Sequence, residues 1–349
     1  MEQEVLSRGQ WGALLWTAAL APAAELLPGI ALSLAGRGAW LSPVAALIVL
    51  LLVLWLGRRG DARDFRTSLL GKLLLGACVL WMELLVVLRL GLCARRMLWA
   101  GERDGAVWYF LLVLSAAALW MGQGRLNAFG RTGQLFLVML LAAAVLVLGL
   151  SLPQVRVDRI LPLWTGDIFP VLRSGLSTAG SLGWAVLPML FLPAQERKGK
   201  NILLWGAGGC VLLTLAQIVI LGNLGSGLSA RSDSAFFALT KSVGVEGAFQ
   251  RVESVVSALW MLSDLTACVI LTHAIGLAGE GAVFRVKRET VSSFALLAGT
   301  AGALWMLRWG APLEAWNREW VWLGNLIACG LAVFWLRWRS AMGKKTKSG

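Results

Sequence analysis

The stretch ALAPAAELLPGIAL, residues 19–32, decides how this chain is read. It lies in the first long apolar run, which opens at Trp11, and in it Pro22 and Pro28 bracket a single carboxylate, Glu25. A proline inside a helix removes a backbone donor and crowds the carbonyl four residues back. An acid in hydrocarbon is costly unless it is paired or faces a wet cavity. A segment long enough to cross a bilayer that carries both features predicts a helix broken at mid-depth, because freed backbone is tolerated there only beside a cavity.

The rest of the chain is built to the same plan. Of 349 residues, 58% are hydrophobic and 15% charged, and the mean hydropathy is +0.73. A soluble domain could not wet such a surface, whereas repeated apolar runs of about 20 residues are the mark of membrane helices. Spans are read at 11–34, 40–57, 70–94, 106–122, 133–151, 173–193, 201–222, 252–276, 291–309 and 318–338. The fold class is therefore an all-α polytopic membrane protein with ten transmembrane helices, forming one domain over 1–349. Many of the 19 tryptophans flank spans, Trp11, Trp40, Trp55, Trp99, Trp108, Trp316 and Trp338 among them, as expected of an interfacial aromatic belt.

The net charge of +13 does not point to nucleic acid, because the basic residues are dispersed in short loops and no basic, aromatic-interleaved patch occurs. With the N-terminus inside, the inner segments hold 19 of the 32 Lys and Arg, and the outer ones 12, with Arg89 inside a span. Arg95 and Arg96 fall among the outer twelve. N- and C-termini are thus expected in the cytoplasm, leaving a basic, disordered juxtamembrane tail at 339–349 that anionic lipid would attract. No signal peptide is expected: Glu2 and Glu4 stand where a basic n-region would be. Cys78, Cys93, Cys210, Cys268 and Cys329 sit in or beside spans without a CxxC, and His273 is the single histidine, so neither a metal nor another cofactor is expected. No phosphate loop or catalytic triad appears, which argues against an enzyme.

Three acids fall at mid-membrane: Glu25 in span one, Glu83 in span three and Asp264 in span eight. Each is a candidate site residue by its depth. Arg89 is not expected to pair with Glu83. Six residues turn a helix by about 240°, so Arg89 should reach a neighbouring helix or the outer interface. Ten spans divide into halves of five, about 11–151 and 173–338, and transporters place interrupted helices at corresponding positions of inverted repeats. The counterpart of span one is span six, with Gly175, Gly180, Gly183, Pro188 and Pro193 around Ser177, Thr178 and Ser181. Small residues in that pattern also serve ordinary close helix packing.

Five stretches carry a recognisable pattern: Ser7 and Gln10 in LSRGQWGALLW, the junction LPGIALSLAGRGAWLSP, LNAFGRTGQLFL with Arg131, LPQVRVDRILPL, and FQRVESVVSALWML with Arg251, Glu253 and Trp260. In these stretches, and in their order and spacing, the chain resembles the spore germination permeases, the B-type subunits of endospore germinant receptors, in the amino acid–polyamine–organocation superfamily. The chain departs from the family in carrying APAAE in place of a Gly-rich break in span one, and Trp184 in place of an acid in span six. A carboxylate moved from span six to Glu25 would reconcile the two.

What the resemblance implies is a five-plus-five inverted repeat with helices 1 and 6 broken and a site between helices 1, 3, 6 and 8. The residues expected at that site are Pro22, Ala24 and Glu25; Glu83; Ser177, Thr178, Gly180, Ser181 and Trp184; and Asp264. The function implied is sensing of a small nutrient such as an amino acid, in the inner spore membrane or the bacterial cytoplasmic membrane. The implied partners are an A-type membrane subunit and a C-type lipoprotein. A proton-coupled amino acid transporter and a non-binding scaffold subunit are the alternative functions.

Overall fold

The computed structural model describes residues 6–57, 62–99, 106–124, 126–161, 168–191, 201–232, 234–242, 252–280 and 287–345. Arg251, Pro193, Glu2, Glu4 and the last four residues of the basic tail lie outside them. The long helices are α1 (Arg8–Ala35), α2 (Ser42–Gly57), α3 (Leu69–Trp99), α4 (Val107–Gln123) and α5 (Leu126–Ser151) in the first half. After the short α6 (Val157–Ile160) come α7 (Ile168–Gly183), α8 (Val186–Phe191), α9 (Asn201–Arg231), α10 (Ala235–Ser242) and α11 (Val252–Gly279). The chain closes with α12 (Arg288–Arg308), α13 (Leu313–Glu319) and α14 (Val321–Lys345). Every stretch read as a span is helical where described, apart from short turns. By length and apolarity, seven described segments can cross a membrane, with Arg8–Gly57 counted as one and the shorter Val107–Gln123 apart. The tail expected from residue 339 onward continues α14 as helix to Lys345.

The surface of the bundle is apolar. Ile48, Leu80, Phe294 and Phe334 are each more than 70% exposed, a pattern that suits lipid and not water. Several polar side chains are buried inside the bundle, Thr17, Gln217, Asp264 and Asn325 among them. The sequence motif Ser7-x-x-Gln10 is a reciprocal cap on α1: the Gln10 amide donates to Ser7 Oγ (3.2 Å) and the Ser7 amide to Gln10 Oε1 (2.9 Å). The junction to α2 is a 3-10 turn, Gly36–Leu41, and Gly36 has φ 53°, which only glycine adopts without strain.

The predicted break in the first helix is not there. Residues 8–35 form one helix with Pro22 and Pro28 inside it. Each proline removes a single donor, and packing against α5, α7, α9 and α11 holds the residues on either side in helical conformation. The predicted break in span six is present: α7 ends at Gly183, Trp184 and Ala185 form a turn, and α8 begins at Val186.

Candidate functional site

Three helices converge on one buried charged network. Glu25 comes from the second half of α1, Arg89 and Arg96 from the C-terminal part of α3, and Asp264 from the middle of α11. Arg89 and Arg96 are seven residues apart, two turns of helix, so both guanidinium groups leave the same face of α3. Arg96 stands between the two acids. Its Nε donates to Glu25 Oε1 (3.1 Å), a terminal nitrogen pairs with Glu25 Oε2, and the other donates to Asp264 Oδ2 (2.6 Å). Arg89 lies 3.6 Å from Asp264 Oδ1. The Asp264 side chain is 2% exposed, those of Arg96 and Arg89 13% and 14%, and that of Glu25 21%.

Two tryptophans frame the network. The Arg89 guanidinium sits 5.6 Å from the ring centre of Trp184, in the turn between α7 and α8, and Arg96 at 5.6 Å from Trp260 on α11. Both are cation–π contacts, and a weakly hydrated guanidinium is the cation best suited to such a dry place. With all four groups ionised the network carries no net charge, which is what makes burial of two arginines tolerable. Ser263, beside Asp264, donates to the Thr17 carbonyl, and Thr17 Oγ1 donates to the Gly133 carbonyl (3.0 Å). Those bonds fix α11 to α1 and α1 to α5 two turns from Glu25.

A cavity of about 50 Å³ adjoins the network, lined by Pro22, Glu25, Arg89, Arg96 and, from α13, Asn317 and Arg318. Arg95 holds α13 in place over it, donating to Glu314 Oε2 (2.5 Å) and to the Ala311 carbonyl (2.9 Å). A larger cavity of about 250 Å³ lies elsewhere, between α4, α5, α11 and α12, where Gln123, His273, Arg288, Glu289 and Ser292 face it.

The structure thus unites Glu25, Pro22, Trp184 and Asp264 out of the residues expected at the site. It separates the others. Glu83 points to α12, where a Cβ added to Gly299 would lie 3.3 Å from Glu83 Oε1, because 240° of helix rotation turns it away from Arg89. Ala24 lines an apolar crevice with Leu20, Leu140 and Trp260. Gly180 is a packing residue: its carbonyl accepts from Asn325 Nδ2 (3.0 Å), and a Cβ there would collide with the Trp322 carbonyl oxygen of α14. Ser177 and Thr178 are buried on α7, Ser177 Oγ without a described hydrogen-bond partner, and Ser181 is half-buried.

Arg96 is the central residue that sequence reasoning leaves out. Ending span three at residue 94 puts Arg96 in an outer loop, whereas α3 continues to Trp99. Trp99 as an interfacial marker, together with the seven-residue spacing to Arg89, is the signal that could have found it.

These features define an integral membrane protein of the transporter-like, permease class. The chain belongs to the spore germination protein family, whose pattern it matches over residues 103–306. In fold it is similar to a manganese transporter from Eremococcus coleocola. A histidine-to-alanine mutant of that transporter aligns with a TM-score of 0.60 at 12% identity, covering 94% of this chain and 78% of the other. A glutamate-to-alanine mutant aligns at 0.61 and 13% identity with the same coverage. The same transporter in complex with an aromatic bis-isothiourea substituted compound aligns at 0.57 and 12% identity, covering 94% of this chain and 76% of the other. No curated protein sequence matches the chain.

Proposed function

We propose that this protein is the nutrient-sensing subunit of a spore germinant receptor, and that it binds a small nutrient such as an amino acid beside Glu25 and Asp264. The observation that carries this reading is the buried network itself. Functional sites in membrane proteins gather paired ionisable groups from several helices around a cavity, and this network does so from α1, α3 and α11, at the α7–α8 break. A ligand amine would be held by either acid. Binding would favour one arrangement of the bundle only through its differential affinity for two arrangements, and a partner subunit would read the change. In this reading the two halves, 11–151 and 173–338, are inverted repeats, both termini are cytoplasmic, and the partners are an A-type membrane subunit and a C-type lipoprotein.

The cargo of the structurally similar transporter is not carried over. The Arg96 guanidinium occupies the space between the acids, and no group of three or more His, Cys, Asp or Glu positioned to hold a metal occurs among the described residues. The transporter-like fold does support a second reading, proton-coupled amino acid transport.

The test is thermal stabilisation of the purified protein in nanodiscs across the common amino acids, wild type against Glu25→Gln. At least one amino acid is expected to raise the midpoint of the wild type and to lose that effect in the variant. No shift with any amino acid, or an equal shift in both proteins, would contradict the reading. Uptake of the same labelled amino acid into proteoliposomes separates receptor from transporter, net flux favouring the latter.

A further inference from the structure

We propose that Arg96 is the carboxylate receptor of this site, held shut by Glu25 and Asp264, and that it restricts the ligand to molecules carrying both an ammonium and a carboxylate. The inference rests on the ligand reading above and adds to it the group that selects the ligand and the device that keeps the empty site closed.

Glu25, Asp264, Arg89 and Arg96 balance, and each charge is paired. A ligand with an amine alone would add an uncompensated positive charge to a dry network, and one with a carboxylate alone a negative one. Either leaves the buried network with a net charge of one, which is the expensive outcome. A zwitterion adds none. Its carboxylate can take the fork of Arg96 that now grips the two oxygens of Glu25, and its ammonium can take the acid so released. The number of ion pairs rises by one and no charge is orphaned.

The geometry suits this exchange. The Arg96 guanidinium presents two nitrogens to Glu25 in the side-by-side manner that planar carboxylates accept, and its third nitrogen to Asp264. Contact with Trp260 supports the plane of the fork when a partner leaves. The adjoining cavity of about 50 Å³ has room for a few waters and not for an amino acid, so a ligand enters only if the network opens. Arg96 and Glu25 both line that cavity, together with Arg89, Glu314 and Arg318, so their pair is open to a ligand that enters there. The seven-residue helix α13, tied to Arg95 through Glu314, covers the same opening.

Two measurements test the proposal on the full chain in nanodiscs. The first compares each amino acid with its carboxamide, which keeps only the ammonium, and with its deaminated acid, which keeps only the carboxylate. For any amino acid that stabilises the protein, both derivatives are expected to bind at least about tenfold more weakly, and Arg96→Lys, which keeps the charge but not the fork, to narrow the preference for the amino acid over its carboxamide by about tenfold. A carboxamide or deaminated acid that binds within about threefold of its amino acid, or unaltered selectivity in Arg96→Lys, overturns the proposal and leaves the ligand reading standing. If no amino acid binds, both fall. The second measurement needs no ligand. Cys93 lies one turn before Arg96 and Cys268 one turn after Asp264, and both are buried, so a hydrophilic maleimide reports opening of the network. Glu25→Gln is expected to speed labelling of Cys93 by about tenfold, and an unchanged rate would show that Glu25 does not hold the site closed.

Discussion

Asp264 and Glu83 occupy the same depth by sequence, one in the middle of α11 and the other in the middle of α3, yet their surroundings differ in kind. Asp264 is gripped by Arg96 at 2.6 Å and flanked by Arg89 at 3.6 Å. Glu83 has a buried Oε1 with no described hydrogen-bond partner and faces the bare backbone surface of Gly299. A buried carboxylate is tolerable in proportion to the partners that replace its water, so Asp264 is part of what joins three helices, and Glu83 is a cost carried for some other reason. Depth in the membrane therefore marks an acid as worth attention, while the face it occupies decides what it does.

That contrast can be sharpened by substitution, beginning where the effect is greatest. Arg96→Met leaves two acids without their shared partner. Breaking a buried pair in this way costs about 3–5 kcal/mol, which should appear as a large fall in folded yield and thermal midpoint. Arg89→Lys keeps a positive charge near Asp264 but loses the planar contact with Trp184. A loss of about 1–2 kcal/mol is expected, read as a smaller shift of the same midpoint. Glu83→Gln removes a charge that has no described partner, so the midpoint should change by less than about 1 kcal/mol, or rise. A Glu83→Gln loss as large as that of Arg96→Met would break the comparison.

Much of this arrangement is legible in the sequence. Hydropathy locates the spans, and the depth of Glu25 and Asp264 singles out two members of the network. The Gly- and Pro-rich pattern of span six anticipates the interruption that falls at Trp184 and Ala185. The motif Ser7-x-x-Gln10 enters the sequence reading only as a likeness, although it states its own physics as a helix cap. Other parts are hidden for identifiable reasons. A window that averages hydropathy ends a span where two arginines stand together, so Arg95 and Arg96 fall into a loop although α3 runs on beneath them. The prolines of α1 announce lost hydrogen bonds, but whether a helix then parts depends on four packed neighbours that no local pattern reveals. Glu83 is misplaced because span position measures depth alone. Its separation from the network follows from rotation about α3 and from Gly299, far along the chain.

Arg96 is the group that couples α3 to α1 and α11, and a double-mutant cycle measures that coupling directly. Arg96→Met and Asp264→Asn, singly and together, compared with Arg96→Met and Glu83→Gln, are to be followed by thermal unfolding in nanodiscs. The first pair is expected to be non-additive by about 2–3 kcal/mol and the second to be additive within about 0.5 kcal/mol. Additivity in the first pair, or equal coupling in both, would contradict the network as the link between these helices.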